Sequence, residues 1–141
     1  MRDYRGQIKR TGKPKSQWVY GDKFEIDDRC YIVLDNKAEV VVDNDGGWLS
    51  LEGFVEVIPE SVGQYTGEKT KEGAKIYEND VLESTWGRAF TGIVVVVFFN
   101  GIYWVRGKDG VIELTLVKDF CRIIANRFDN PELLKDNNGE I

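Results

Sequence analysis

Residues 90–106 read FTGIVVVVFFNGIYWVR, and this stretch decides the fold. Two runs of β-branched and aromatic residues, a composition typical of strands, flank the pair Asn100-Gly101. Asn-Gly in this setting predicts a two-residue type I′ turn, because both central residues of that turn need a positive φ. We therefore predict a β-hairpin with strands at Phe90 to Phe99 and Ile102 to Arg106.

The turn also fixes which side chains share a face of the hairpin. The predicted opposing pairs are Phe99 with Ile102, Phe98 with Tyr103, Val97 with Trp104, Val96 with Val105 and Val95 with Arg106. One face then holds Val94, Val96, Phe98, Tyr103 and Val105. The other, called here the Trp104 face, holds Val95, Val97, Phe99, Ile102, Trp104 and Arg106.

Both faces are apolar, so the hairpin needs cover on both sides. We expect the face without a charge to be the interior of a small barrel. The Trp104 face is expected to be covered by the N-terminal half of the chain, by another subunit or by a partner.

Short β-favouring runs, separated by Gly, Pro, Asn and Asp, occupy most of the remaining chain. They are predicted at 4–8, 17–21, 29–34, 38–42, 48–51, 54–58, 81–84, 111–116 and 121–125. The polar segment 61–80 is predicted to be a connector with tight turns. Asn130 as N-cap, with Pro131 at the first helical position, predicts a short C-terminal helix. The chain is thus expected to be mainly β, with a β-rich N-terminal subdomain at 1–60 and a barrel subdomain with the C-terminal helix at 61–141.

The composition argues against most catalytic chemistry. The 141 residues include no histidine, which removes Ser-His-Asp and Cys-His pairs, histidine bases and ordinary zinc sites. Cys30 and Cys121 are expected to be buried thiols, and a disulfide is not expected. Carboxylate pairs such as Glu78 with Asp80 leave an enzyme formally open, although adjacency of acids is weak support without a cleft. We expect a protein that is not an enzyme and has no catalytic residues, no cofactor and no metal site.

Charge is distributed unevenly. Residues 1–23 carry a net charge of +5 and the other 118 residues carry −10, for a total of −5.

No apolar run is long enough to span a bilayer and the N-terminus has no signal-peptide core, so we expect a cytoplasmic protein with no membrane partner.

The basic N-terminal arm supports an alternative function, in which the protein is a nucleic-acid-binding accessory protein. Its candidate contacts are Arg2, Arg5, Lys9, Arg10, Lys13 and Lys15. An acidic body disfavours nucleic acid because phosphate attraction drives such binding.

A protein-binding function is the leading hypothesis. The loop after the strand at 81–84 carries Trp86, Arg88 and Phe90, and the Trp104 face adds Phe99, Trp104 and Arg106; these six are the candidate partner-binding residues. The simpler alternative is that Trp86 and Phe90 only cap the barrel. Open sheet edges and exposed loops of small barrels also favour contacts with peptides or further copies of the chain.

Three stretches together resemble the YopX family of phage and prophage proteins. They are Tyr4-Arg5-Gly6 with Trp18-Val19-Tyr20-Gly21; Val62-Gly63-Gln64-Tyr65-Thr66-Gly67 with Gly73, Ile76-Tyr77-Glu78 and Asp80-Val81; and Ile123-Ile124 with Asn126 and Asn130-Pro131-Glu132-Leu133-Leu134. Asn79 stands where the family usually has glycine, and asparagine tolerates the left-handed backbone better than most residues.

The resemblance implies a β-rich N-terminal part followed by an SH3-like barrel in a bacterial phage or prophage protein. It also implies a homo-oligomer, with a host or phage protein as a further possible partner. It supplies no enzymatic activity. The family's glycines and aromatics are expected to encode the fold, with Asp80 as a turn or backbone acceptor.

Overall fold

The computed structural model describes residues 4–9, 17–34, 39–42 and 49–135, and of residues 39–42, 49–52 and 135 only the backbone. The chain divides into two compact units, an N-terminal unit of Met1–Gln64 and a C-terminal unit of Tyr65–Ile141. The boundary predicted from the sequence lies between residues 60 and 61. The prediction of a mainly β protein is confirmed.

The described residues of the N-terminal unit form six strands and the start of a seventh. These are β1 (Tyr4–Gln7), β2 (Trp18–Ile26), β3 (Arg29–Val33), β4 (Glu39–Val42), β5 (Leu49–Glu52) and β6 (Phe54–Val57), then a 3₁₀ turn at Pro59–Ser61 and the first residues of β7 (Gly63–Lys69). All pairings in this unit are antiparallel, in the order β6-β3-β2-β1-β7, and β4 pairs with β5 separately.

The end of β1 returns to β6 and closes the strands of the N-terminal unit into a ring. Ile8 forms a bridge with Val57. The amide of Ile58 donates to the carbonyl of Gln7 at 2.9 Å, and the amide of Lys9 donates to the carbonyl of Glu56 at 3.0 Å. Cys30, Ile32 and Val57 form the small core inside this ring.

A glycine on β2 permits this closure. The backbone at Gly21 lies so close to β3 that a Cβ atom there would be 2.1 Å from the carbonyl oxygen of Val33. No real Cβ atom tolerates that separation, so only glycine fits without backbone movement.

The C-terminal unit has a five-stranded antiparallel sheet in the order β12-β11-β10-β9-β13. Its elements, after the rest of β7, are β8 (Lys75–Tyr77), β9 (Asp80–Ser84), β10 (Gly92–Phe99), β11 (Ile102–Gly107), β12 (Gly110–Glu113), α1 (Leu114–Val117), a 3₁₀ turn at Lys118–Phe120, β13 (Cys121–Asn126) and α2 (Glu132–Lys135). This order is compatible with an SH3-like barrel.

The predicted hairpin register is confirmed at all five pairs, from Phe99 opposite Ile102 to Val95 opposite Arg106. Asn100 and Gly101 have φ values of 54° and 76°, as the turn requires. The face without a charge forms the main core of the C-terminal unit, called here the barrel core after the SH3-like barrel with which the sheet is compatible. There Val94, Val96 and Val105 pack with residues of the other elements: Ile76, Leu82, Leu114, Val117 and Cys121.

The sequence prediction missed the element that covers part of the Trp104 face. Within the C-terminal unit, Val95 and Val97 pack in one cluster with Leu134 of α2 and with Ile124 of β13. The short C-terminal helix of the same chain therefore covers the part of this face around Val95 and Val97, whereas Phe99 and Ile102 on the same face are 42% and 39% exposed. Helix α2 is assigned from Glu132, one residue after the predicted start.

Two other sequence predictions were wrong. Residues 114–116 form the helical turn α1 and not the end of a strand, because Leu114 and Val117 both point into the barrel core, which strand alternation would forbid. Segment 61–80 contains β7 and β8, which pair with each other, and is not merely a connector.

No helix in the described part of the chain is long and apolar enough to cross a membrane.

Candidate interaction surfaces

The β10–β11 hairpin extends beyond its neighbours in the sheet. Strand β9 pairs with residues 92–95 of β10, and β12 pairs with residues 104–107 of β11. The last residues on either side of the turn therefore have no flanking strand from β9 or β12. The segment formed by Phe98, Phe99, Ile102, Tyr103 and Trp104 is called here the hairpin tip.

Three large apolar side chains of the hairpin tip are exposed. Phe98 is 48% exposed, Phe99 42% and Ile102 39%. Beside them, Ile102, Tyr103 and Gly101 line one wall of a cavity of about 260 Å³ whose other wall is formed by β7 and α1. Apolar side chains clustered in this way mark a contact surface more often than scattered ones do.

Contacts within the hairpin hold the aromatic rings of the tip in place. Phe98 and Tyr103 pack across the strands with their ring centroids 4.7 Å apart. On the other face the ring of Phe99 stacks on Trp104 at 5.3 Å, and Trp104 Nε1 donates to the carbonyl of Phe99 at 3.0 Å. Rings fixed before binding lose little conformational entropy when a partner covers them.

The six candidate partner-binding residues do not form one surface. Trp86 packs against the barrel core, and its ring lies 6.1 Å from that of Phe90. Phe90 also lies near Gly107, at the end of β11 remote from the turn. Phe99 and Trp104, in contrast, lie at the turn on the opposite face of the hairpin.

The remaining two candidates are arginines away from the tip. Arg88 is exposed in the loop before β10, and Arg106 lies on the Trp104 face opposite Val95. The structure thus brings together Phe99 and Trp104, and separately Trp86 and Phe90, and adds Phe98, Ile102 and Tyr103 to the first pair. The sequence signal for Phe98 and Tyr103 was the change from valine to aromatic residues next to the turn.

The basic arm is only partly described. Arg5 is 8% exposed and its guanidinium lies 5.0 Å from the centre of the Trp18 ring, so it is not a surface cation. Lys9 is exposed and its Nζ lies 3.4 Å from Glu56 Oε2. Arg2, Arg10, Lys13 and Lys15 lie outside the described residues.

Cys30, Cys121 and Asp80 lie in buried positions. Cys30 and Cys121 are free and buried, and burial raises the pKa of both thiols, which disfavours the nucleophilic thiolate. Asp80 is 1% exposed and accepts a hydrogen bond from the amide of Tyr77, as expected for a backbone acceptor. Asn79 before it has a φ of 75°, the conformation that the sequence predicted it would tolerate. Among the described residues, no group of three His, Cys, Asp or Glu side chains is placed to hold a metal ion.

The fold and these surfaces define a small, mainly β protein of two compact units, with an exposed aromatic hairpin tip in the second. The chain belongs to the YopX family, because the family's sequence model, described as YopX protein, matches residues 8–135. A comparison with curated proteins found no match.

Proposed function

We propose that this protein is a non-catalytic interaction module that self-assembles through the hairpin tip. The observation that carries the proposal is the projection of Phe98, Phe99 and Ile102 beyond the sheet, each with about two fifths or more of its surface exposed. Burial of such side chains against a second copy is favourable at about 25 cal/mol per Å² of apolar area. A two-fold dimer would use the hairpin tip on both copies.

We propose that the chain acts in the cytoplasm of a bacterial host. The support is its membership of the YopX family, for which its sequence motifs imply a phage or prophage setting. The assembled protein would then present its remaining surface to a host or phage protein.

Two features support a role without catalysis. The sequence has no histidine, so proton transfer near neutral pH would fall to carboxylates or to shifted groups. The only two thiols are buried and have raised pKa values. Nucleic-acid binding through the basic arm would not use Arg5, which is buried against Trp18.

Self-assembly can be tested by size-exclusion chromatography with light scattering. A variant with Phe98, Phe99 and Ile102 changed to serine should elute with the mass of a monomer, whereas the unmodified chain should be larger. A matched control changes Phe120, Leu116 and Val111 to serine, since these are also exposed, at 49%, 59% and 39%, but lie outside the hairpin tip. This control should keep the mass of the unmodified protein.

Two results would overturn the proposal. One is a monomer for the unmodified chain at micromolar concentration, and the other is an equal loss of mass in both variants. Thermal unfolding of each variant would show that a change of mass does not come from loss of the fold.

A further inference from the structure

The outer face of the N-terminal sheet carries an aromatic cluster that the small core does not use. Tyr31 opposes Phe24 across β2 and β3, and opposes Glu56 across β3 and β6. Since side chains alternate along a strand, these three share the face opposite to Cys30 and Ile32, which belong to the core.

Three rings form a triangle on this face. Phe24 and Phe54 meet edge to face at 5.2 Å, and Tyr31 lies 6.3 Å from Phe24 and 6.4 Å from Phe54. Tyr31 is 9% exposed, so the cluster is well packed on its inner side.

A groove of about 610 Å³ lies next to these rings. It is lined by residues 26–29 at the β2–β3 turn together with Tyr31, Phe54 and Glu56, and is called here the acidic groove. The volume lies within the range of about 300–1,000 Å³ that is usual for ligand sites.

The charges of the acidic groove do not balance. Its lining has three carboxylates, on Asp27, Asp28 and Glu56, and one guanidinium, on Arg29. A side-chain hydrogen bond to Tyr31, and then the nearby charge of Glu56, raise the pKa of Arg29. Glu56 also contacts Lys9, with 3.4 Å between Oε2 and Nζ.

Since the charge of Glu56 is offset by Lys9 and Arg29, the net negative charge of the lining lies on Asp27 and Asp28 at the β2–β3 turn, called here the lip, where Asp28 also interacts with Arg29. Both are exposed, and Asp27 has a φ of 56° at the turn. A side chain that entered the groove would meet aromatic surface along its length and carboxylates at this end.

We propose that the acidic groove binds a lysine or arginine side chain presented by an extended segment of a protein partner. The aliphatic stem of such a side chain packs on Ile26 and Phe54, and its cationic head lies between the lip carboxylates and the face of an aromatic ring. Cations within about 6 Å of a ring centre are attracted by the ring quadrupole. An acidic peptide would be repelled by the same lip.

The test uses the full chain and two fluorescein-labelled peptides, the basic GSKGSRGSKG and the acidic GSEGSDGSEG, in fluorescence anisotropy titrations. The basic peptide should bind and the acidic peptide should not. Binding should weaken as salt rises from 50 mM to 500 mM, since the screening length falls from about 10 Å near 0.1 M to about 3 Å at 1 M.

Variants locate the site. The double change Asp27→Asn with Asp28→Asn should weaken binding roughly five- to tenfold, because each exposed ion pair contributes up to about a fivefold effect. Glu72→Gln with Asp109→Asn is the matched control, since it removes the same charge from two exposed residues of the C-terminal unit, and it should bind like the unmodified chain. Phe54→Leu should weaken binding about threefold by removing the ring.

Three results would overturn the inference. They are equal binding of both peptides, equal weakening by the lip variant and its control, or loss of self-association in the lip variant, which would assign the groove to a contact between copies. The hairpin-tip variant should bind the basic peptide normally, so the groove and the tip are tested independently.

Discussion

The carboxylate of Asp80 accepts a hydrogen bond from the backbone amide of Tyr77, with 2.8 Å between Oδ2 and the nitrogen. This bond closes the turn between β8 and β9, at which Asn79 has a positive φ. It links the β7–β8 pair to the first strand of the five-stranded sheet.

Replacement of Asp80 by alanine should destabilise the protein. The change leaves a buried amide without this acceptor, and we expect a loss of about 1–3 kcal/mol in the free energy of unfolding. Urea denaturation followed by tryptophan fluorescence measures it. Asp80→Asn keeps an acceptor oxygen of nearly the same shape and should lose clearly less. If both variants lose the same amount, the amide is not what Asp80 stabilises.

Leu134 should be the main anchor of the C-terminal helix. It is 5% exposed and packs with Val95 and Val97, so Leu134→Ala should lower the free energy of unfolding by about 2–5 kcal/mol. Leu116→Ala is the matched control: Leu116 is 59% exposed, and its truncation should change stability by less than about 0.5 kcal/mol. Equal effects of the two changes in a denaturant titration would contradict the packing of α2 on the Trp104 face.

The sequence predicted those features that local rules govern. The Asn100-Gly101 turn determined the whole hairpin register, because a two-residue type I′ turn allows only one set of opposing pairs. The predicted roles of Asp80 and Asn79 were also correct, since both roles depend on the backbone preferences of single residues.

Features that depend on distant contacts were missed. Nothing local distinguishes residues 111–116 from a six-residue strand, yet the barrel core needs both Leu114 and Val117 and so selects a helical turn. The Trp104 face was expected to need the N-terminal half, another subunit or a partner, and the packing of Leu134 on Val95 and Val97 joins residues too far apart in sequence for a local rule to predict. The hairpin tip could be located only in part, since its exposure depends on where β9 and β12 stop pairing.

Gly21 should tolerate no side chain. The position that a Cβ atom would take at Gly21 lies 2.1 Å from the carbonyl oxygen of Val33, a backbone atom that cannot move away unless β3 itself moves. Gly21→Ala should cost about 3 kcal/mol or more, at the upper end of overpacking effects, since β2 and β3 must separate. Circular dichroism during thermal unfolding would record the lowered midpoint.

Gly67→Ala is the comparison for Gly21→Ala. Gly67 has a φ of 88° but open space around its Cβ position, so alanine there meets only backbone strain of about 1–2 kcal/mol. A Gly21→Ala variant that is as stable as the Gly67→Ala variant would disprove the close approach of β2 and β3.

The two buried thiols should make stability depend on alkaline pH. Burial is the largest cause that raises the pKa of Cys30 and of Cys121 above the ordinary value of 9.0. In the unfolded chain both thiols lose their protons near that value, whereas the folded chain retains them. The unfolded state therefore binds fewer protons at high pH, so the stabilising contribution is complete below about pH 8 and is lost as the pH rises through 9 and above. Urea titrations at pH 7.0 and 9.5 should show a larger loss of stability for the unmodified chain than for a variant with both cysteines changed to alanine.

In parallel, the native protein should react with Ellman's reagent at pH 8 far more slowly than the unfolded protein does. Rapid reaction of either thiol in the folded state would show that its burial is incomplete and would remove the basis for the pH effect.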